Sequence, residues 1–222
     1  MTAEALKIAH AMDAVAIGPK HGKEDMKKLV QAAKDYEIHL IYGLNCYYDY
    51  LLQELKDSKT IVGGGLCSPS TGFESTEQKV FLSQLYQDMG CGEVDLYINI
   101  PYIRDGMEEL ALEELKKVRD VTKCTMKVII EAPALTDAQI KSACEVVVAS
   151  GADFVKTATG FLGPTTLEIV KKVKDAVGDR IAIKAAGGIM GYETLKAMRD
   201  MGVTRFGMGY EKVTKLMREL NA

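Results

Sequence analysis

The chain lacks the features that mark several function classes. In 222 residues it has no tryptophan, five prolines, three histidines and five cysteines. Cys46, Cys67, Cys91, Cys124 and Cys144 are odd in number, scattered and without a C-x-x-C pair, which argues against a disulfide framework and for reduced, buried or half-buried thiols. His10, His21 and His39 supply no finger-like spacing with them, so no metal is expected. Neither sign of charge dominates. With 28 Lys+Arg against 31 Asp+Glu the net charge is −3, and no general basic field recruits nucleic acid. Apolar runs fall well short of the roughly 20 residues of a membrane helix. The start, Met1-Thr2-Ala3-Glu4-Ala5-Leu6-Lys7, carries an early acid, unlike a secretory signal. What is present, 47% hydrophobic and 27% charged residues, suits a globular cytosolic protein and is too apolar for disorder.

No low-complexity segment or linker divides the chain, so one domain over 1–222 is expected. Eight short β-rich runs recur, at 12–17, 38–42, 60–63, 93–99, 126–131, 152–157, 180–184 and 203–207. Helical periodicity lies between them. In 136–150, Ile140, Ala143, Cys144, Val147 and Val148 repeat at three and four. In 165–177, Leu167, Val170, Val173 and Val177 do the same, with Gly178 as the stop. Eight strand-then-helix units without hairpin dipeptides imply parallel pairing through right-handed crossovers. A doubly wound sheet could use the same elements, but the count and length fit a (β/α)8 barrel.

The barrel makes a demand on side-chain direction. Outward residues pack on helices and must be apolar, whereas inward ones near the C-terminal ends can be polar. Alternation places Val94, Leu96 and Ile98 outward and Asp95, Tyr97 and Asn99 inward. It likewise turns Lys127, Ile129 and Glu131, then Phe154 and Lys156, then Ala182 and Lys184 inward. Four consecutive strands therefore direct Asp95, Lys127, Lys156 and Lys184 to one interior.

A lysine in a partly dehydrated interior is costly unless it is paired or loses its proton. If Lys156 and Lys184 share a cavity, their repulsion lowers the pKa of the less solvated one, giving the neutral amine that attacks a carbonyl. Asp95 could shuttle protons through water and balance the remaining ammonium. Schiff-base chemistry is the reading. Strand 7 ends in Ala185-Ala186-Gly187-Gly188-Ile189, and strand 8 in Gly207-Met208-Gly209-Tyr210. Glycines after these strands, at helix N-termini, let backbone N–H groups approach a phosphate.

The stretch 93–189 resembles the deoxyribose-phosphate aldolase family of class I aldolases. The matching pieces are Glu93-Val94-Asp95-Leu96-Tyr97-Ile98-Asn99-Ile100, Lys127-Val128-Ile129-Ile130-Glu131, 151–161 around Val155-Lys156-Thr157, and Ile183-Lys184-Ala185-Ala186-Gly187-Gly188-Ile189. The resemblance implies that Lys156 forms the Schiff base, Lys184 perturbs it and assists proton transfer, and Asp95 is the acid/base carboxylate. Lys127 lies deeper, and Lys127, Asp13, Gly160, Gly187, Gly188, Gly207 and Gly209 are expected to bind substrate. The implied reaction is the reversible joining of acetaldehyde and glyceraldehyde 3-phosphate to 2-deoxyribose 5-phosphate. It uses no metal or other cofactor, because the iminium is itself the electron sink.

Several segments depart from the family pattern. Asp13-Ala14-Val15 stands where the family has Asp-His-Thr, and Cys46 follows Asn45 where the family places its cysteine before the asparagine. The loop 64–73 matches only loosely, and Met208-Gly209-Tyr210 replaces the family's phosphate-facing serines. The alternatives are therefore a Schiff-base aldolase for another sugar, a barrel isomerase or synthase using Asp95 and Lys184, and a sugar-phosphate sensor. Homo-oligomers are compatible with the helical surface. Tyr47, Tyr48 and Tyr50 could line the site mouth, pack under a helix or sit at a subunit contact, and helix packing is the preferred expectation.

Overall fold

The structure, a computed structural model, describes residues 1–65 and 72–222. Cys67 and most of the loop 64–73 lie outside these residues. Eight strands, β1 (Met12–Val15), β2 (Leu40–Tyr42), β3 (Ile61–Gly65), β4 (Glu93–Tyr97), β5 (Thr125–Ile129), β6 (Phe154–Lys156), β7 (Ala182–Ala186) and β8 (Arg205–Gly209), form a closed barrel in chain order. Every neighbouring pair is parallel, including β8 with β1. The helices are α1 (Ala3–Ala9), α2 (Lys23–Tyr36), α3 (Tyr48–Leu55), α4 (Thr76–Met89), α5 (Ile100–Arg104), α6 (Glu108–Val121), α7 (Asp137–Ala149), α8 (Leu167–Val177), α9 (Gly191–Asp200) and α10 (Tyr210–Asn221). This is the (β/α)8 architecture. Among the described residues, no helix is long and apolar enough to cross a membrane.

Local chemistry explains the helix bounds. Thr136 caps α7 in a reciprocal box with Gln139, and Ser75 does the same for α4 with Gln78. Thr166 accepts the Ile169 N–H at the start of α8, so the periodic stretches begin just after their hydroxyl caps. The strand bounds shift more. β7 and β8 each lie two residues further along the chain than the β-rich runs suggest, with pairing that extends through Ala185-Ala186 and, against β1, Met208-Gly209. A two-residue shift leaves side-chain parity unchanged, so the faces stand.

Val94, Leu96, Val128, Val155 and Ile183 are buried against the helical ring. Two side chains break the expected alternation. Asn99 lies beyond β4, where it caps α5 and donates to Glu114 outside the barrel. Glu131 follows β5 at φ +47°, and its carboxylate turns onto Thr159. Tyr48 packs edge-on against Tyr86, and its hydroxyl donates to the Gly63 carbonyl. Cys91 and Cys144 are buried and Cys124 half-buried, but Cys46 is exposed, in a 3₁₀ turn ahead of α3 that borders the cavity.

Candidate active site

The C-terminal ends of the strands open on a cavity of about 1070 Å³. On its floor β4, β6 and β7 bring three charged groups to one point. Lys156 Nζ and Lys184 Nζ each donate to the same oxygen, Asp95 Oδ2, at 2.8 Å. The register accounts for this: Asp95 pairs with Lys127 across β4–β5 and Lys156 with Lys184 across β6–β7, so all four project inward, while Lys156 stands opposite Ile129, two residues further along than Lys127. Tyr42 on β2 completes the floor. Its hydroxyl donates to Asp95 Oδ1 at 2.5 Å, and its ring lies 4.9 Å from Lys184 Nζ. Gly63 leaves room for that ring, since a Cβ there would sit 2.4 Å from Tyr42 Cε1.

Beneath the floor the interior is filled with charge. Lys127 Nζ donates to Asp95 Oδ1 and to the Tyr42 hydroxyl, both at 3.0 Å, and pairs closely with Glu93 Oε2. Asp13 Oδ2 lies 2.5 Å from Lys184 Nζ, and Asp13 Oδ1 accepts from Arg205 Nη1 at 3.1 Å. Arg205 also reaches Glu93 Oε2 at 3.3 Å, and His39 Nε2 meets Glu93 Oε1 at 3.0 Å.

Burial is the largest influence on Asp95, Glu93, Lys127 and Lys184, and their partners decide which way it resolves. Burial acts to raise Asp95, but the ammoniums of Lys127, Lys156 and Lys184 overcome it and hold the carboxyl well below the usual range. Glu93 is brought down to about 2: burial opposes this, while the His39 hydrogen bond, Lys127 and Arg205 prevail. Lys127 is raised because Asp95, Asp13 and Glu93 outweigh its burial. Lys184 goes the other way. Burial, helped by the charges of Lys156 and Lys127, pushes it down to about 8 against Asp13 and Asp95. The sequence reading gives the lowered pKa to the less solvated amine without saying which of the pair that is. The less solvated amine is Lys184, its side chain 1% exposed against 13% for Lys156, so Lys184 carries the depressed pKa.

Not every expected substrate-binding residue faces the cavity. Gly187, Gly188, Gly207 and Gly209 line it with Lys156, Lys184 and Asp95. Lys127 and Asp13 are sealed below the floor with no exposed surface, where their charges act on the amines. Gly160 does not line the cavity but is exposed between Thr159 and Phe161, which do, and a Cβ at Gly187 would meet Gly160 N at 2.5 Å, so these two backbones interlock. On the upper wall, Tyr97 donates to Thr159 Oγ1 at 3.1 Å, and Thr159 in turn donates to Glu131 Oε2 at 2.7 Å. At the rim Lys20 and Lys212 bring two ammoniums beside the glycine turns, and the Tyr210 hydroxyl is spent on Asp25. The sequence reading singled out none of Tyr42, Glu93, Arg205, Lys20 or Lys212. Parity would have found three, because Glu93 shares the face of Asp95, Arg205 that of Gly207, and Tyr42 ends a strand. Among the described residues, no group of three or more His, Cys, Asp or Glu side chains is arranged to hold a metal ion.

A sequence model described as the DeoC/LacD family aldolase matches residues 7–210. Deoxyribose-phosphate aldolase 2 of Bacillus licheniformis is 35% identical over 209 residues, spanning 91% of this chain and 92% of its own length. A solved aldolase designated QR15 superposes with a TM-score of 0.89 at 28% identity, covering 96% of each chain. The deoxyribose phosphate aldolase of Aeropyrum pernix, described as tetrameric, shares the fold at a TM-score of 0.87 and 21% identity, covering 98% of this chain and 92% of its own. The matched span runs from before β1 to beyond β8 and includes every charged residue of the floor. The chain belongs to the DeoC/LacD family of aldolases, which are carbon–carbon lyases.

Proposed function

We propose that this protein is a Schiff-base aldolase that interconverts 2-deoxyribose 5-phosphate with acetaldehyde and glyceraldehyde 3-phosphate. One observation carries the reading: two lysine amines share a single carboxylate oxygen on the floor of an open cavity. Lys184 is also held by Asp13, but Arg205 shares that carboxylate, so the pair stays short of counter-charge and one amine sheds a proton readily. Lys156 is the more accessible amine and the nucleophile, and Lys184, with its pKa near 8, is the adjoining proton acceptor.

The steps follow from this placement. Lys156 Nζ adds to the C1 aldehyde of the open-chain sugar, and loss of water from the carbinolamine gives an iminium. The C3 hydroxyl gives up its proton, the C2–C3 bond breaks, and its electron pair moves onto the iminium to form an enamine. Glyceraldehyde 3-phosphate leaves. Protonation of C2 and hydrolysis then release acetaldehyde and restore the amine. Lys184 and bound water carry the protons, and Asp95, ionised throughout, holds both amines in place and balances their charge. For the phosphate, the amides of the turns at Gly187-Gly188 and Gly207-Gly209, the N-terminus of α10, and Lys20 and Lys212 supply the donors, on a lining that also carries Glu74 and Glu211. Tyr210, bonded to Asp25, contributes no hydroxyl there. That departure favours a second reading, the same chemistry with another acceptor aldehyde, which turnover with phosphorylated and free acceptors distinguishes.

The deciding experiment is incubation with 2-deoxyribose 5-phosphate and borohydride, followed by peptide mass mapping. The expected product is an N-ethyl group on Lys156. Unmodified Lys156, with turnover that survives Lys156→Ala, would replace the aldolase by an isomerase using Asp95 and Lys184; binding without turnover would make the protein a sensor. A cytosolic homo-oligomer is part of the proposal. The tetramer described for the Aeropyrum pernix aldolase supports self-association, and light scattering tests it.

A further inference from the structure

We propose that Arg205 and Glu93, at the end of the barrel away from the cavity, are positioning residues that set the pH at which the Lys156–Lys184 pair gives up its proton. The proposal rests on the Schiff-base reading above and extends it to groups that touch no substrate. Neither residue lines the cavity. Arg205 and Lys184 are register partners on β8 and β7, and they hold the two oxygens of one carboxylate, Asp13. Glu93 is divided in the same way, between Arg205, Lys127 and His39.

A charge count makes the consequence concrete. Among the described residues of this cluster, Asp13, Glu93 and Asp95 face Lys127, Lys156, Lys184 and Arg205, three carboxylates against four cations. A buried cation without a counter-charge is costly, and the cluster relieves this by releasing one proton. The guanidinium of Arg205 cannot supply it, being protonated at every pH a protein meets. It is further held in place over the Phe154 ring, 5.4 Å from the centroid. Lys127 cannot supply it either, since Glu93, Asp95 Oδ1 and the Tyr42 hydroxyl all accept from it. The loss falls on the two amines that share Asp95 Oδ2. Lys184 is faced by Asp13 from β1, the Tyr42 ring from β2, Asp95 from β4, Lys127 from β5 and Lys156 from β6. Its depressed pKa agrees in direction. Arg205 is thus the fixed charge that creates the surplus, and Glu93 the fixed charge that limits it.

The two residues therefore have opposite signs in one experiment. Wild type, Arg205→Met, Arg205→Lys and Glu93→Gln are incubated with acetaldehyde and cyanoborohydride across a pH series, and the rate of N-ethylation at Lys156 is read by mass. Removing the cation raises the pKa of the pair, so the Arg205→Met midpoint moves up by about one pH unit. Removing the anion lowers it, so Glu93→Gln moves down by about one unit, while Arg205→Lys keeps the charge and stays near wild type. A purely structural role would alter yields without opposed shifts. Midpoints that stay at the wild-type value, or that move in the same direction in both charge variants, overturn the proposal. If Arg205→Met does not fold, the near-isosteric Glu93→Gln decides alone. An NMR titration of the lysine amines in the same proteins reads the shifts without any adduct. Absence of a wild-type adduct therefore overturns the aldolase, whereas unmoved NMR midpoints overturn the role of Arg205 and Glu93.

Discussion

Two buried ion clusters lie on opposite sides of β4, and they differ in one respect. Outside the barrel, between α4 and α6, Lys79 Nζ sits 2.6 Å from Glu114 Oε1 and donates to the Tyr97 carbonyl at 3.0 Å. Glu114 Oε2 is met by Thr76 and Asn99. That cluster has one cation and one anion, each with further hydrogen-bond partners. Inside the barrel, four cations share three carboxylates, and two amines share one oxygen. Burial is similar in both places, so burial alone does not make a lysine reactive. The deficit of counter-charge does: a compensated pair has no reason to release a proton, whereas a surplus cation has.

Experiments can break this contrast in order of expected effect. Lys156→Ala removes the proposed nucleophile and should lower kcat by at least about a thousandfold, with the circular dichroism spectrum unchanged. Lys79→Met leaves the Glu114 carboxylate buried and unpaired, so urea denaturation should show a loss of about 3–5 kcal/mol. The trapping midpoint at Lys156 should stay in place, and Lys79→Met with Glu114→Leu should recover most of the stability. A shift in that midpoint would show that the two clusters are not separate.

Lys184→Leu sharpens the other side. With Asp95 Oδ2 left to one ammonium, Lys156 holds its proton more tightly, so activity at neutral pH should fall about a hundredfold and the rate profile should move to higher pH. The same variant tests stability. Folded Lys184 titrates near 8 and its unfolded form near 10.5, so in that window the unfolded chain binds more protons. Wild type should gain stability as pH rises from 8 to 10.5 by an increment that Lys184→Leu lacks, read from paired thermal melts. The smallest effect is expected for Tyr42→Phe, which withdraws one donor from an ionised carboxylate and should cost about tenfold in kcat.

The legible part of this molecule was its alternation. Val94-Asp95-Leu96, Val155-Lys156 and Ile183-Lys184 each place an apolar residue against helices and a charge inward, and that parity survived even where β7 and β8 began two residues late. The capped helices α7 and α8 were legible for a similar reason, because hydroxyl caps and Gly178 are local signals. Asn99 and Glu131 were misplaced because parity ends where the strand ends, and beyond it each side chain follows a local turn. The depth of each lysine was not legible. Lys156 and Lys184 occupy equivalent register positions, and only the surrounding strands decide that one is sealed and the other reaches the cavity.

By itself, the order of residues determined eight strand-and-helix units, the inward direction of Asp95, Lys127, Lys156 and Lys184, and the resemblance to a lysine-dependent aldolase. These are properties of period, caps and motif, carried by neighbours in the chain. Tertiary structure decided which charges share which oxygen. Asp13, Glu93 and Arg205 lie up to 192 positions apart and meet only when β8 closes on β1. A pKa depends on everything within a few ångströms, and those distances exist only in the closed barrel.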